Sequence, residues 1–333
     1  MLPVAVEVWR GERVESRHRA TLALVDRSGR VVAAVGEPDQ PVFPRSAIKP
    51  LQALPLVESG AADAAGLGQR ELALACASHG GEPVHVGLVE AWLGRLGVGE
   101  DALACGPHPP LHGPSAEALW AAGERPGRRH NNCSGKHAGM LTLARHLGAP
   151  EAGYERPDHP VQRAIRAALD ELTDGAPLDP PAIDGCGVPT WALPLRALAL
   201  GFARLATPDG LAPARAAAAR RLTLAMIREP LLVAGSGRLC TALLELGGGL
   251  VAKTGAEGVY AAALPGSGLG LAIKVEDGAT RAAEVALLAV LFELGWLPPS
   301  ACRDLARFAR PILRNHAGAE VGRIQPAPSW TLA

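Results

Sequence analysis

Short, mostly apolar runs at residues 4–10 and 20–26 read as strands, and a Ser28-Gly29 turn leads into a further run at 30–35, a pattern that predicts an N-terminal antiparallel ribbon. The period then lengthens from two to between three and four. Helices are predicted at 46–58, 70–77, 84–96, 115–122, 135–147, 161–172, 194–205 and 212–228, the last two with charges along the wet face. Ser46 caps the first, which Gly60 ends and whose first turn must hold Pro50; Ser134 and Asp158 cap 135–147 and 161–172. Residues 183–188 read as a short extended or loop segment. Beyond Pro230, short strand-like runs at 250–254, 258–264 and 270–275 are split by Gly-rich turns into a three-stranded meander, and a helix at 280–294 closes it. Strands at both ends with helices between predict an α+β fold over 1–333 as a single unit. In it the N-terminal ribbon pairs with the C-terminal meander, and a helical portion at about 60–230 is inserted between them. The Pro/Gly stretches 106–114 and 175–189 read as loops, and no internal repeat is visible.

With 48% hydrophobic and 20% charged residues, the 333-residue chain has material for a sizeable core. Thirty-three basic and 33 acidic side chains cancel, which argues against nucleic acid or an anionic membrane as the main partner. Residues 1–7 lack a basic segment followed by an apolar stretch, and no apolar run reaches spanning length, so the expectation is a soluble, unexported, cytoplasmic protein. In that compartment the six cysteines are expected to be thiols.

Among the 33 basic residues only four are lysine, Lys49, Lys136, Lys253 and Lys274. A sequence that defaults to arginine keeps lysine where a shiftable amine or a point donor is needed. Ser46-Ala47-Ile48-Lys49 is an S-x-x-K element at a predicted helix start, where a neutral amine one turn from a serine can take its proton. The bland alternative is a serine cap beside a solvated lysine. Lys253-Thr254-Gly255 tips the balance, since it sits at the first strand of the meander, where K-T-G lines the site of serine β-lactamases and penicillin-binding proteins. A second group is His130-Asn131-Asn132-Cys133-Ser134-Gly135-Lys136-His137, with Ser78-His79 upstream and Asp184-Gly185-Cys186-Gly187 downstream. Cys133, Lys136 and Cys186 could form a soft metal site; buried thiols beside a helix start are the alternative.

Taken together, Arg45–Pro50, Cys76–Gly80, His130–His137, Asp184–Gly187 and Lys253–Gly258 resemble the motif set of the rhizobial-type (class 3) L-asparaginases, in order and over nearly the whole chain. The resemblance implies a fold related to serine β-lactamases, a homodimer, L-asparagine as substrate, and two Ser/Lys pairs, Ser46 with Lys49 and Ser78 with Lys253. It also implies one zinc per subunit on Cys133, Lys136 and Cys186, near the substrate and not essential to the basic reaction. On this reading Ser46 attacks, Lys49 moves its proton, Ser78 and Lys253 relay protons, and backbone N–H groups at the Ser46 turn are the expected oxyanion donors. Arg45 is expected to hold a substrate or structural carboxylate. His79, Asn132, Thr254 and Gly255 line the substrate, and Asp184 does so as a partner of Lys136 or of metal-bound water. Two rivals are a β-lactamase or D,D-peptidase-like hydrolase, against which the missing S-x-N counts, and a non-catalytic zinc-binding or ligand-sensing protein on the same fold.

Overall fold

The computed structural model describes residues 2–246 and 248–332. The backbone gathers into two compact units, one of Met1–Ala47, Leu193–Thr207 and Leu246–Ala333, the other of Ile48–Ala192 and Pro208–Glu245. The second takes in most of the stretch predicted as a helical insertion, and the helix Leu195–Ala206 falls to the first.

Among the described residues, the first unit holds an eight-stranded antiparallel sheet of β1 (Val4–Arg10), β2 (Arg13–Asp26), β3 (Val31–Val35), β4 (Val251–Gly255), β5 (Val259–Ala263), β6 (Leu269–Val275), β7 (Ile312–Arg314) and β8 (Glu320–Pro326). The order is β7-β8-β1-β2-β6-β5-β4, with β3 also on β2. The predicted join of ribbon and meander is the β2–β6 pair, in register from Ala20↔Val275 to Asp26↔Leu269. Every residue of β4 and β5 is buried, so these strands read as continuous apolar runs instead of alternating. The helices Leu195–Ala206 and Thr280–Glu293 pack on the sheet. At Gly270 of β6 a Cβ would lie 2.0 Å from the Ala199 carbonyl oxygen, so glycine is what lets the first of these helices seat. The sequence pattern missed two things. β2 begins at Arg13, because its first half is polar and solvated and is held by pairing with β1 (Glu7↔Arg17, Val8↔Ser16). β7 and β8 extend the sheet past β1, and Gly322 in β8 marks a contact where a Cβ would meet Trp9 O at 2.1 Å.

The second unit is mainly helical. The predicted helix 46–58 is broken into a 3-10 turn Arg45–Ile48 and helices Lys49–Gln52 and Leu54–Glu58, because Pro50 and Pro55 each carry no N–H and restart the helix in a first turn. Ser46 caps neither helix. The helix Ser134–His146 is buried from Ser134 to Ala144 and packs on the helix Gln69–Ala75. Gly135 permits this approach, since a Cβ there would lie 2.4 Å from Leu74 Cγ and Leu74 O. Cys133 occupies the position before that helix, and the Ser134 hydroxyl donates to Arg129 O (3.0 Å) instead of capping. For the helix Pro160–Leu172 the cap is His159 Nδ1, which accepts from Val161 N–H at 3.2 Å, not Asp158. Residues 175–189, expected to be a loop, contain the strand Leu178–Ile183, which pairs with 189–192 and leaves Asp184–Val188 as a tight turn. Asp184 N–H donates to Val188 O (2.9 Å), Gly187 N–H donates to Asp184 O (2.8 Å), and Gly187 takes the left-handed φ of 89° that this turn needs.

Candidate active site

In the sheet unit the K-T-G residues end β4, and Lys253 and Thr254 are buried. Lys253 Nζ donates to Thr254 O at 3.0 Å. Gly255 lies against the turn that carries Ser46: a Cβ there would be 2.6 Å from Pro44 O and 3.2 Å from Ala47 N. Only glycine admits that approach, so the G of K-T-G is fixed by the serine turn beside it. The turn is itself strained. Arg45 has φ 49°, in the left-handed region that a non-glycine residue rarely takes, and such strain persists where the surrounding structure holds a side chain in a set position. Ala47 N–H is already engaged by Pro44 O (3.1 Å), which removes it from the expected set of oxyanion donors as the turn stands.

In the helical unit Lys49 is buried, and its ammonium has three partners: Ala77 O at 2.6 Å, Ser78 Oγ at 2.9 Å and Cys133 Sγ at 3.1 Å. The short helix from Lys49, the end of the Gln69–Ala75 helix and the start of the Ser134–His146 helix therefore meet at one amine. Lys49, expected beside Ser46, meets Ser78, which was expected to pair with Lys253. Ser78 is held by its own N–H on Val233 O (2.9 Å). The ring of His79 is fully buried, with Nδ1 accepting from Gly81 N–H (3.1 Å), so its proton sits on Nε2 toward Ser134 Oγ (2.9 Å). Nδ1 thus fixes the turn that follows Ser78, and Nε2 ties the segment to the start of the Ser134–His146 helix. His85 stacks on His79 at 4.9 Å between centroids, accepts from Glu82 N–H and reaches Leu231 O. Burial lowers both imidazole pKa values and keeps the rings neutral.

A second buried cluster adjoins Cys133. Lys136 Nζ lies 3.0 Å from Cys186 Sγ, Cys133 shares a hydrogen bond with Cys186, and Asp184 Oδ2 is 3.6 Å from Cys186. That bond from Cys133, with the Lys136 ammonium and His137 close by, holds Cys186 far below the usual thiol range, while the same bond and burial push Cys133 up. Burial would lower the Lys136 pKa, but the two sulfurs outweigh it and the shift is upward. Both shifts favour negative charge on Cys186 opposite positive charge on Lys136. Asn131 frames the cluster: its Oδ1 accepts from Cys133 N–H (2.9 Å) and its amide donates to Cys105 O and Gly106 O. Asn132 Oδ1 is 3.4 Å from Cys133 Sγ. Cys105, buried nearby, has its thiol pKa pushed up to about 12 by desolvation. His137 Nδ1 meets the Tyr154 hydroxyl at 2.6 Å, and the ring lies beside Cys186. Among those residues no group of three His, Cys, Asp or Glu side chains is placed to hold a metal, so a metal here would rest on two sulfurs and the Lys136 amine. Those donors share one buried spot, and the set suits a soft ion such as zinc.

The profile of the L-asparaginase II family matches residues 6–326. The chain belongs to the L-asparaginase II family. That family consists of hydrolases acting on amides. No curated protein sequence matches the chain. Among solved structures, Mglu in its native form aligns over 87% of this chain and 63% of its own at 18% identity, with a TM-score of 0.46. A β-lactamase from Mycobacterium bovis aligns over 87% and 95% at 15% identity, with a TM-score of 0.39. The chain thus spans about 63% of the length of Mglu. Of the residues expected to carry asparaginase-family chemistry, Arg45, Ser46, Lys253, Thr254 and Gly255 lie in the sheet unit; Lys49, Ser78, His79, Asn132, Cys133, Lys136, Asp184 and Cys186 lie in the helical unit. Sequence reasoning gave no role to His85, Glu82, Tyr154 or Cys105. Glu82 accepts from Ser236 N–H and Oγ, both at 2.7 Å, and so braces the turn after His79.

Proposed function

We propose that the chain hydrolyses the side-chain amide of L-asparagine to L-aspartate and ammonia through an acyl-enzyme. The observation that carries this reading, in a chain of the L-asparaginase II family, is the buried Lys49 amine bonded to Ser78 in an S-x-x-K context. Ser46 Oγ adds to the amide carbon and its proton passes to Lys49 in its neutral form. The tetrahedral adduct expels nitrogen, which leaves as ammonia with the proton from Lys49. A water then adds to the Ser46 ester, and aspartate leaves as the proton returns to Ser46. Ser78 and Lys253 form the second pair, which relays these protons and polarises the site. The strained Arg45–Ser46 turn supports Ser46 as the nucleophile. The test is ammonia and aspartate release from asparagine, with mass spectrometry of the protein trapped by an electrophilic amide analogue. Acylation of Ser46 is expected; acylation of Ser78 would move the nucleophile, and acylation by penicillin without asparagine turnover would favour the β-lactamase-like alternative.

The reading includes a zinc ion on Cys133, Lys136 and Cys186, and a homodimer in the cytoplasm. Among the described residues no helix is long and apolar enough to cross a membrane. Bound there, zinc would supply an open fourth position for water or a substrate group. Proton transfer between serine and lysine does not require it. Lys136 must give up its proton to bind, so occupancy should fall with pH. Elemental analysis of protein purified without added metal checks the site: zinc in the wild type and its loss in a Cys133→Ser/Cys186→Ser double mutant are expected, and equal zinc in both would remove it. Light scattering of the purified chain checks the dimer.

A further inference from the structure

Lys274 is the one lysine of four that neither the serine pairs nor the sulfur cluster uses, and it lies within the sheet unit that carries K-T-G. On β6 it stands opposite Val259 of β5 and Thr21 of β2. Its Nζ donates to Glu257 O at 2.7 Å and to Val275 O at 2.5 Å. Glu257 lies in the turn between β4 and β5 and has φ 59°, a left-handed conformation for a residue with a full side chain; Gly258 follows at φ 67°. The turn is clasped from a second side by Val275 N–H on Gly258 O (3.0 Å). It is also packed so tightly that a Cβ at Gly258 would lie 2.8 Å from Val275 Cβ. Two residues before Glu257, Gly255 bears on the turn that presents Ser46.

We propose that Lys274 is a positioning residue for the K-T-G strand: its ammonium holds the carbonyl of the left-handed Glu257 turn, and so fixes the end of β4 that carries Lys253, Thr254 and the Gly255 contact with the serine turn. Chain composition supports a shape requirement. Twenty-nine of the basic residues are arginine, yet here a lysine delivers a point donor to two carbonyls, a task for which the guanidinium fork is too wide. Glycine takes the left-handed region without penalty. Replacing Glu257 by glycine should therefore make the clasp largely dispensable.

The rate arm of the test rests on the asparagine-hydrolysis reading; an exchange arm does not. In the full chain, Lys274→Met should lower kcat on asparagine about tenfold or more, with KM changed by less than about threefold, because displacement of the reacting groups costs rate before affinity. Lys274→Arg should not rescue. Glu257→Gly alone should stay within about threefold of wild type, and in that background Lys274→Met should cost only about twofold to threefold. Backbone hydrogen exchange over 251–259 should rise in Lys274→Met with that over 4–10 unchanged, whether or not asparagine is the substrate. Equal kcat losses in both backgrounds, or unaltered exchange over 251–259, would overturn the proposal. If wild type releases no ammonia while exchange responds as expected, the function reading fails and the clasp stands. Should Lys274→Met not fold, the Lys274→Arg variant carries the same comparison, with loss of kcat in the wild-type background and recovery in the Glu257→Gly background expected.

Discussion

The two units bury different things. In the sheet unit the interior is valine, leucine and alanine, and its buried polar side chains among the described residues are His18, Thr21, Lys253 and Thr254. The helical unit encloses two lysines, several histidines and five cysteines, with Lys49 bonded to Ser78 and Lys136 to Cys186, in a space that dry burial alone would never favour. A buried charge is costly unless paired, so the helical unit trades stability for a set protonation state. The sheet unit contributes a rigid strand and two turns that hold a residue in the left-handed region, Arg45 and Glu257. Contact geometry holds the groups in the first unit, and electrostatics holds those in the second.

The largest effects should separate these roles through the two members of S-x-x-K. Ser46→Ala in the sheet unit should abolish asparagine turnover and leave the unfolding midpoint nearly unchanged. Lys49→Ala should abolish it too, and in addition lower the midpoint, because Ala77 O, Ser78 Oγ and Cys133 Sγ lose their common donor. Ser78→Ala should cost about two decades or more in kcat. Steady-state rates alongside urea unfolding check all three; a Lys49→Ala protein as stable as Ser46→Ala would erase the contrast between the units.

Next in size is the ion pair inside the helical unit. Lys136→Met leaves the Cys186 thiolate buried beside an uncharged stem, and breaking such a pair costs about 3–5 kcal/mol. Urea unfolding of chelator-treated protein reads it. A loss below about 1 kcal/mol would mean that Cys186 is a neutral thiol in the folded chain.

Acid should also tell the units apart. His79 and His85 have pKa values lowered by burial, so the folded chain binds fewer protons than the unfolded one below the ordinary histidine pKa of about 6.5. Their stabilising effect is complete above that pH and is lost as pH falls from there toward the folded values, at up to about 1.4 kcal/mol per pH unit for each ring. In the sheet unit Asp26 is held at about 2, first by the Ser28 hydroxyl and then by Arg30. Its contribution persists above about 3.9 and fades only as pH drops through 2. Hydrogen exchange corrected for intrinsic rates should therefore show protection in 134–146 weakening between about pH 6.5 and 5, while β2 and β6 keep theirs. Equal weakening of both would show that the histidines do not govern the helical unit.

The same division explains what could be read from the sequence. The β2–β6 join and the meander were legible because burial imposes a period or a continuous apolar run, and K-T-G and S-x-x-K were legible because their spacing is local. Proline set the breaks at 46–58 more firmly than the serine cap signal, and the solvated half of β2 left no apolar trace. The bond from Lys49 to Ser78 spans 29 positions and that from Lys136 to Cys186 spans 50. No periodicity links residues so far apart; ligand chemistry alone grouped Cys133, Lys136 and Cys186 as candidates, and the pairing of Ser78 with a lysine came only with the resemblance to a family. His85 and Glu82 act through backbone carbonyls and amides, which any sequence supplies, so nothing in the residue string marked them.

The smallest effects compare one contact in each unit. Gly270→Ala would push β6 against the Leu195–Ala206 helix, where a Cβ meets Ala199 O at 2.0 Å and Ala203 N at 2.5 Å. Gly135→Ala would push the Ser134–His146 helix off Leu74, at 2.4 Å. Both overpack, and each should cost about 1–3 kcal/mol, since backbone on at least one side cannot turn away. Their consequences for turnover should differ. Gly270 lies on β6, two strands from the K-T-G strand, so a surviving Gly270→Ala protein should keep most of its kcat. Gly135 stands between Ser134 and Lys136 and two residues from Cys133, so any shift of the helix start moves the sulfur that Lys49 touches; kcat should fall about tenfold or more for the same loss of stability. Thermal midpoints with kcat at a temperature where both variants are folded make the comparison, and parallel losses of rate in the two would mean that the start of the Ser134–His146 helix has no special hold on the chemistry.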